Sequence, residues 1–428
     1  MEERKTSKNL GYYFFILGGH ATSLFGSSVV QFIIILWITS EISSVFYVSL
    51  TLFLTFLPQV IITLFAGVLS DILNRKLILI IANTLRISTT FVLIFLFAFG
   101  TFELNILLFI SIIRGISQAF YLPTFYTILP SMVSQKHLGR INGITYLLMM
   151  VFQMVTPLYS SILFNDFPIN LSLWVMVIVS GITLIPLIFI KIPQVKDLSL
   201  KSENHEVNSS IVHYFRHFKE GFRTLVLIPS IIILFGAILI FDYFTIQFNT
   251  PSTYYLFMFH GGSFFLISTL STSMFIGIVI GTIVFEIRKY WSPTILIFFL
   301  SMFLIFLGNL VFILAPYQMF GLLIIVYFIQ GFHMVFVYTM FQTFIQSTVP
   351  NNKLGRVSAI YFTMSSFVTL FAPFSLNLVF IFISDIRLIL LLITITGIIS
   401  LIALYMFTGI RKLQFENYKN QSNGQIHS

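Results

Sequence analysis

The chain is 428 residues long, 57% hydrophobic and 9% charged, with a mean hydropathy of +0.99. A soluble domain needs about 25% charged residues to hydrate its surface, so a soluble globular protein is excluded and an all-α polytopic membrane protein is expected. The net charge of +9 comes from basic residues spread over many short segments with no aromatic-interleaved patch, which argues against a nucleic-acid partner, and the absence of cysteine excludes disulfide scaffolds, thiol catalysis and thiolate metal sites.

A spanning helix takes about 20 apolar residues, and the apolar runs predict twelve of them. The start, MEERKTSKNL, is polar, and the run after it lacks a small-residue cleavage site, so no cleavable signal sequence is expected. The first span, 12–38, carries His20 and Gln31, and the second covers 44–66. Between it and the third stands GVLSDILNRK, Gly67 to Lys76. Gly67 lets two helices approach, and Asp71 can accept from helix N-termini and basic side chains. Arg75 and Lys76 either secure this loop or simply mark topology. The third span, 77–100, contains Arg86, which reads as structural. The fourth, 105–130, contains Arg114 and Gln118. An Arg near the bilayer centre costs about 2.5 to 3.5 kcal/mol, so Arg114 should face a cavity or a partner. It either bonds carbonyls of neighbouring helices or couples a substrate to a protonatable acid. The fifth span, 141–164, holds Gln153 and Pro157, and a proline there removes a hydrogen bond and kinks the helix. The sixth covers 170–190.

After a polar stretch the spans resume with 225–249, which holds Asp242, the only acid well inside a predicted span. An isolated carboxylate in apolar surroundings can exchange a proton as those surroundings change, or counter a cationic substrate. The competing reading is an acid near the external end of the helix, hydrated from outside. The Gly-Gly pair at 261–262 and the glycines at 277 and 281 in the eighth span, 262–285, read as close helix packing. The ninth is 293–315. The tenth, 318–345, carries Gln330 and His333, the eleventh, 357–380, carries Pro373, and the twelfth is 388–409. The two histidines either carry protons or are satisfied core residues. The four glutamines line a pathway or bridge helices. The 52 phenylalanines are spread over nearly every span and do not by themselves indicate an aromatic pocket.

Two long-range patterns organise these elements. With a cytoplasmic N-terminus, 20 of the 23 basic residues fall in the tails and in loops on that same side, the opposite loops hold only Arg387, and Arg86 and Arg114 lie inside helices. The positive-inside rule then puts both termini in the cytoplasm. In addition, LPSMVSQKHLGRINGI (Leu129 to Ile144) aligns without gaps onto IQSTVPNNKLGRVSAI (Ile345 to Ile360) at an offset of 216. The same register pairs Gly115 with Gly331 and Pro157 with Pro373. Two six-helix bundles of like orientation are expected: 1–190 and 225–409, with a cytoplasmic linker at 191–224 and a cytoplasmic tail at 410–428.

The Gly67, Asp71, Arg75 and Lys76 spacing resembles the loop signature of the major facilitator superfamily, with Ile72 and Asn74 replacing its usual Arg and Gly. The resemblance implies that this loop is a conformational latch between bundles and that Arg114 matches a helix-4 Arg associated with proton coupling. Around Pro157, the neighbours Thr156, Leu158, Tyr159 and Ser160 only partly match the superfamily's glycine-rich antiporter signature. The stretches TFLPQVIITLFAGVLSDILNRK, IIRGISQAFYLPTFYTILPSMVSQKHLGR and NNKLGRVSAIYFTMSSFVTLFAP look like the macrolide-efflux branch of drug exporters, which includes siderophore exporters. Asn83 stands where that branch often has an Asp beside the helix-3 Arg.

The implied activity is export of an amphipathic or hydrophobic small molecule in exchange for protons, by a monomer in a bacterial-type plasma membrane. Arg114 and Asp242 would tune charge, Gly67, Asp71, Arg75 and Lys76 would gate, and Pro157 and Pro373 would kink their helices. The alternatives are siderophore export and proton-coupled uptake of a nutrient. No metal-ligand spacing, nucleophile elbow, Walker loop or dinucleotide fingerprint occurs, so no cofactor, metal or enzymatic activity is expected.

Overall fold

In a computed structural model of the chain, residues 2–72, 74–100, 103–132, 135–189, 229–261, 263–287, 294–349 and 351–407 are described, without the side chains of, among others, residues 2–16, 63–72, 75, 126–147 and 351–356. The polar stretch 191–224 and the tail 410–428 lie outside the described residues. Twelve α-helices occur among those described: α1 (Glu2–Trp37), α2 (Val45–Ile72), α3 (Arg75–Ala98), α4 (Leu104–Met132), α5 (Gln135–Asp166), α6 (Ile169–Phe189), α7 (Pro229–His260), α8 (Phe264–Ile287), α9 (Thr294–Leu314), α10 (Phe320–Thr348), α11 (Asn351–Phe382) and α12 (Ile386–Phe407). A π-helical turn, Ile38–Ile42, extends α1. Eleven stretches, in every helix except α5, are long and apolar enough to cross a membrane by length and composition among the described residues. Helices are what a bilayer demands, because their backbone groups are satisfied internally.

The chain divides into two compact units, Met1–His213 and Tyr214–Ser428. In the N-terminal unit α2 packs on α4, α3 on α4 and α6, and α1 on α5 and α6. In the C-terminal unit α8 packs on α10, α9 on α10 and α12, and α7 on α11 and α12. Adding six to each helix number converts the first set into the second, so the 216-residue offset seen in sequence is also a repeat of packing.

The tightest seam in each unit rests on the paired glycines. A Cβ on Gly115 of α4 would collide with the carbonyl oxygen of Thr55 on α2 and meet Pro58, and a Cβ on Gly331 of α10 would collide with the carbonyl oxygen of Met274 on α8. Met274 occupies the position that Pro58 holds in the first unit. Gly277 and Gly281 on α8 likewise lie against the backbone of α10 at Phe328 and Phe332, as expected from the sequence. Gly261 serves differently: it turns the chain between α7 and α8 at φ +60°, a conformation that disfavours side chains.

The packed interiors differ in kind. One buried cluster in the N-terminal unit is aliphatic, with Val29, Ile33, Leu93, Leu107 and Ile110 among its members, whereas one in the C-terminal unit gathers Phe235, Phe241, Phe298, Phe306, Phe336 and Phe341. Outward stripes at helical spacing, such as Ile178, Ile182 and Ile185 on α6 and Leu388, Leu392, Ile395 and Ile399 on α12, are exposed, as suits side chains that meet lipid.

The largest departure from the sequence expectation is α7, which runs to His260 instead of stopping near residue 249. Pro251 lies inside the helix, and the hydroxyls of Thr250 and Ser252 donate to the carbonyls of Ile246 (2.8 Å) and Asn249 (2.8 Å) beside it. Serine and threonine hydroxyls of this kind let a spanning helix carry a proline.

Candidate functional site

Each unit buries its own polar cluster. In the N-terminal unit, helical spacing sets Ser23 and Ser27 on one face of α1, Asn83, Arg86 and Thr90 on one face of α3, and Arg114 and Gln118 one turn apart on α4. The Nη2 of Arg114 donates to the Ser27 carbonyl (2.8 Å) and hydroxyl (3.1 Å), and its Nη1 donates to Thr90 Oγ1 (3.3 Å). Arg86 donates to Gln118 Oε1 and to Ser23 Oγ (3.4 Å), and its guanidinium lies 4.2 Å from the centre of the Tyr121 ring. Ser23 in turn donates to Asn83 Oδ1 (2.5 Å), whose amide donates to Thr183 Oγ1 on α6 (3.1 Å). Both guanidiniums are buried, and no carboxylate pairs with either among the described residues. Arg86, expected to be structural, is thus part of one network spanning α1, α3, α4 and α6.

In the C-terminal unit the carboxylate of Asp242 accepts from the Tyr338 hydroxyl on α10 (2.7 Å). Because α7 continues to His260, Asp242 sits in the middle of the helix and is 7% exposed, which removes the reading of an acid hydrated from a nearby helix end. Tyr243, next to Asp242, and Gln247, one turn after Tyr243, both donate to Ser375 Oγ on α11 (2.8 Å each), two residues beyond Pro373. Gln330 donates to Asn309 Oδ1 (2.8 Å) and the Ile305 carbonyl (3.2 Å), so it bridges helices.

The other sequence candidates separate. His20 is buried and stacked on Phe125, 3.3 Å between ring centres, and neither of its nitrogens has a partner. His333 Nδ1 lies 3.4 Å from Ser301 Oγ. Pro157 and Pro373 lie inside α5 and α11, with neighbouring hydroxyls, Thr156 to Phe152 (2.7 Å) and Thr369 to Ser365 (2.9 Å), bonded to carbonyls. Lys76 donates to the Ile188 carbonyl at the end of α6 (2.6 Å), a bond inside its own unit. The side chains of Asp71 and Arg75, Gln153 and the environment of Gly67 lie outside the described residues. No group of three or more His, Cys, Asp or Glu that could hold a metal occurs among the described residues.

Reasoning from sequence did not single out Ser23, Ser27, Thr90 or Tyr338. For Thr90 the available signal was its helical spacing from Arg86 on α3, whereas Ser23 and Ser27 lie on α1, 63 and 87 residues from the arginines they bond. For Tyr338 there was none, since it lies 96 residues from Asp242.

The family model of the Major Facilitator Superfamily matches residues 16–373. Over 352 residues the chain is 24% identical to macrolide efflux protein A of Streptococcus pyogenes, covering 81% of this chain and 84% of that one. It is 23% identical to macrolide efflux protein A of Enterococcus faecalis over 311 residues, covering 72% and 93%. Among solved structures, a D-xylose–proton symporter superposes with a TM-score of 0.67 at 12% identity, covering 92% of this chain and 97% of its own. A variant of the nucleoside transporter NupG does so with a TM-score of 0.66 at 14% identity, covering 92% and 99%. These two similarities show the fold. The repeated packing, the apolar helices and a family match over most of the length lead to one conclusion: the chain is a multi-pass membrane protein that belongs to the major facilitator superfamily of transporters.

Proposed function

We propose that the protein is a secondary active transporter of the bacterial plasma membrane that exports amphipathic or hydrophobic small molecules, macrolide-like drugs among them, in exchange for protons. The observation that carries the coupling is Asp242: a buried carboxylate in the middle of a spanning helix, held by one tyrosine hydroxyl, 2.7 Å away. A group in that setting can take up and give up a proton as its surroundings alternate. Support for export comes from the two macrolide efflux relatives. The side on which Lys and Arg gather supports cytoplasmic termini, with residues 1–190 and 225–409 as the moving bundles. Arg114 tunes the charge of the N-terminal unit, and the loop from Gly67 through Asp71 to Arg75 and Lys76 acts as the gate.

The test is a panel of toxic amphiphiles applied to cells with and without the protein, with and without a protonophore. Expression should lower cellular accumulation, the protonophore should abolish that effect, and Asp242→Asn at equal expression should abolish it too. Raised accumulation would mean uptake, and full gradient-driven export by Asp242→Asn would remove Asp242 from the coupling.

A further inference from the structure

The two units of the repeat show what each embedded charge is not needed for. At the offset of 216, Arg114 falls on Gln330 and Arg86 falls on Met302. Gln330 ties α10 to α9 through Asn309 and Ile305, and Arg114 ties α4 to the equivalent helix α3 through Thr90. Met302 is fully buried in the apolar cluster of its unit. Joining and filling the helices at these two positions therefore takes an amide and a thioether. The N-terminal unit places guanidiniums there instead, although a charged side chain within a spanning segment is costly to insert.

Among the described residues of the unit, nothing balances that charge. The oxygens bonded to Arg86 and Arg114 belong to Ser23, Gln118, Ser27 and Thr90, all neutral. The acids between residues 1 and 190 are Glu2, Glu3, Glu41, Asp71, Glu103 and Asp166, all at helix ends. Glu103, just before α4, is about 16 Å from Arg114 along the helix axis. Donors are in surplus as well: Arg86 Nε and Gln31 Nε2 are buried with no acceptor. Gln31 lies one turn beyond Ser27 on the same face of α1. Ser27 is half-buried next to exposed Ser28, so the oxygens that hold Arg114 adjoin an accessible part of α1. The cluster has excess positive charge and excess N–H groups, and what it lacks is a negatively charged acceptor.

We propose that the N-terminal unit recognises an anionic group, a carboxylate carried by an amphiphile, with Arg114 as its main ligand and Arg86 and Gln31 as supporting donors. A guanidinium pairs with a carboxylate through two parallel hydrogen bonds, which confers direction as well as strength. The inference rests on the transporter reading above and sets its substrate class as amphiphiles bearing an acid, in place of the basic macrolides.

The probes are pyrenebutyrate, its methyl ester and the corresponding pyrenebutyl trimethylammonium salt, bound to purified full-length protein in uncharged detergent and followed by fluorescence anisotropy. The carboxylate should bind at least about tenfold more tightly than either analogue. Arg114→Gln, which installs the residue of the repeat partner, should erase the preference while leaving the unfolding temperature and monodispersity intact, and Arg114→Lys should retain part of it. If Arg114→Gln misfolds, Arg86→Met supplies the same comparison and should weaken the preference. Equal binding of the three probes, or a carboxylate preference unchanged in both variants, overturns the inference. Because binding is read without transport, a persistent preference in a protein that exports nothing would sink the transporter reading alone. Gradient-driven export with no carboxylate preference would sink this inference alone.

Discussion

The two units are built on one packing diagram and differ in what they bury. The first carries two guanidiniums held by neutral oxygens, and the second carries one carboxylate held by a phenol. The packing that both share, a glycine of α4 or α10 pressed on the backbone of α2 or α8, belongs to the scaffold. The charges that only one unit carries are not required by that scaffold, since the other unit packs in the same way without them. A repeat thus acts as an internal control: a polar residue matched by a neutral one at the same offset is released from a purely structural explanation.

The shared part is the easiest to break. Alanine at Gly115 or at Gly331 puts a methyl group into a backbone carbonyl, which cannot move aside as a flexible side chain would. Each substitution should cost about 3 kcal/mol or more and yield little monodisperse protein, measured by size exclusion and thermal unfolding. The two losses should be alike, because the seam is the same. Tolerance at either glycine would mean that the repeat of packing is looser than the backbone contacts indicate.

The unshared part can be transplanted. Gln330→Arg places the charge of the first unit at its equivalent in the second, where Asn309 and the Ile305 carbonyl are the acceptors. It should destabilise the protein by about 2.5 kcal/mol, the cost of a guanidinium in a spanning helix. A variant as stable as the parent would show that an embedded arginine is cheap in this scaffold, and the charge argument for Arg86 and Arg114 would lose its weight.

Much of this comparison is legible in the residues alone, and the rest is not for identifiable reasons. Twelve helices and the offset of 216 follow from apolar runs and from glycines, arginines and prolines in one frame, signals that survive the noise of a composition rich in Phe and Ile. The end of α7 is misplaced by a reading of the sequence because FNTPST looks like a stop. The hydroxyls of Thr250 and Ser252, which bond carbonyls around Pro251, make it part of the helix. That single error moves Asp242 from the middle of its helix to near an exit and leaves the choice between a buried and a hydrated acid open. The partners of the charged residues are hidden because Ser and Thr are common in spans and their pairing is a matter of tertiary placement. Only the spacing of Asn83, Arg86 and Thr90 on α3 hints at a shared face.

A smaller effect probes the carboxylate of the second unit. Tyr338→Phe removes the hydroxyl from Asp242 and leaves the ring in place. The loss should be about 1.5 kcal/mol of thermal stability at a pH where the acid is ionised. It should vanish when Asp242→Asn is already present, so a double-mutant cycle isolates the pair. Additive effects of the two substitutions would show that the tyrosine acts through packing and not through its hydrogen bond.

The smallest effect concerns glycines that do not serve the seam. At Gly18 on α1 and Gly236 on α7, one in each unit, a Cβ would meet nothing within 4 Å. Alanine at either site removes backbone freedom from the unfolded chain and meets no obstacle, so each should raise the unfolding temperature slightly, by the equivalent of about 0.5 to 1 kcal/mol. The contrast with Gly115 and Gly331 is one of sign, and this separates a contact requirement from a general intolerance of substitution in spanning helices. If Gly18→Ala or Gly236→Ala destabilised the protein as much as the seam glycines do, the collapse at Gly115 and Gly331 could no longer be assigned to the carbonyls of Thr55 and Met274.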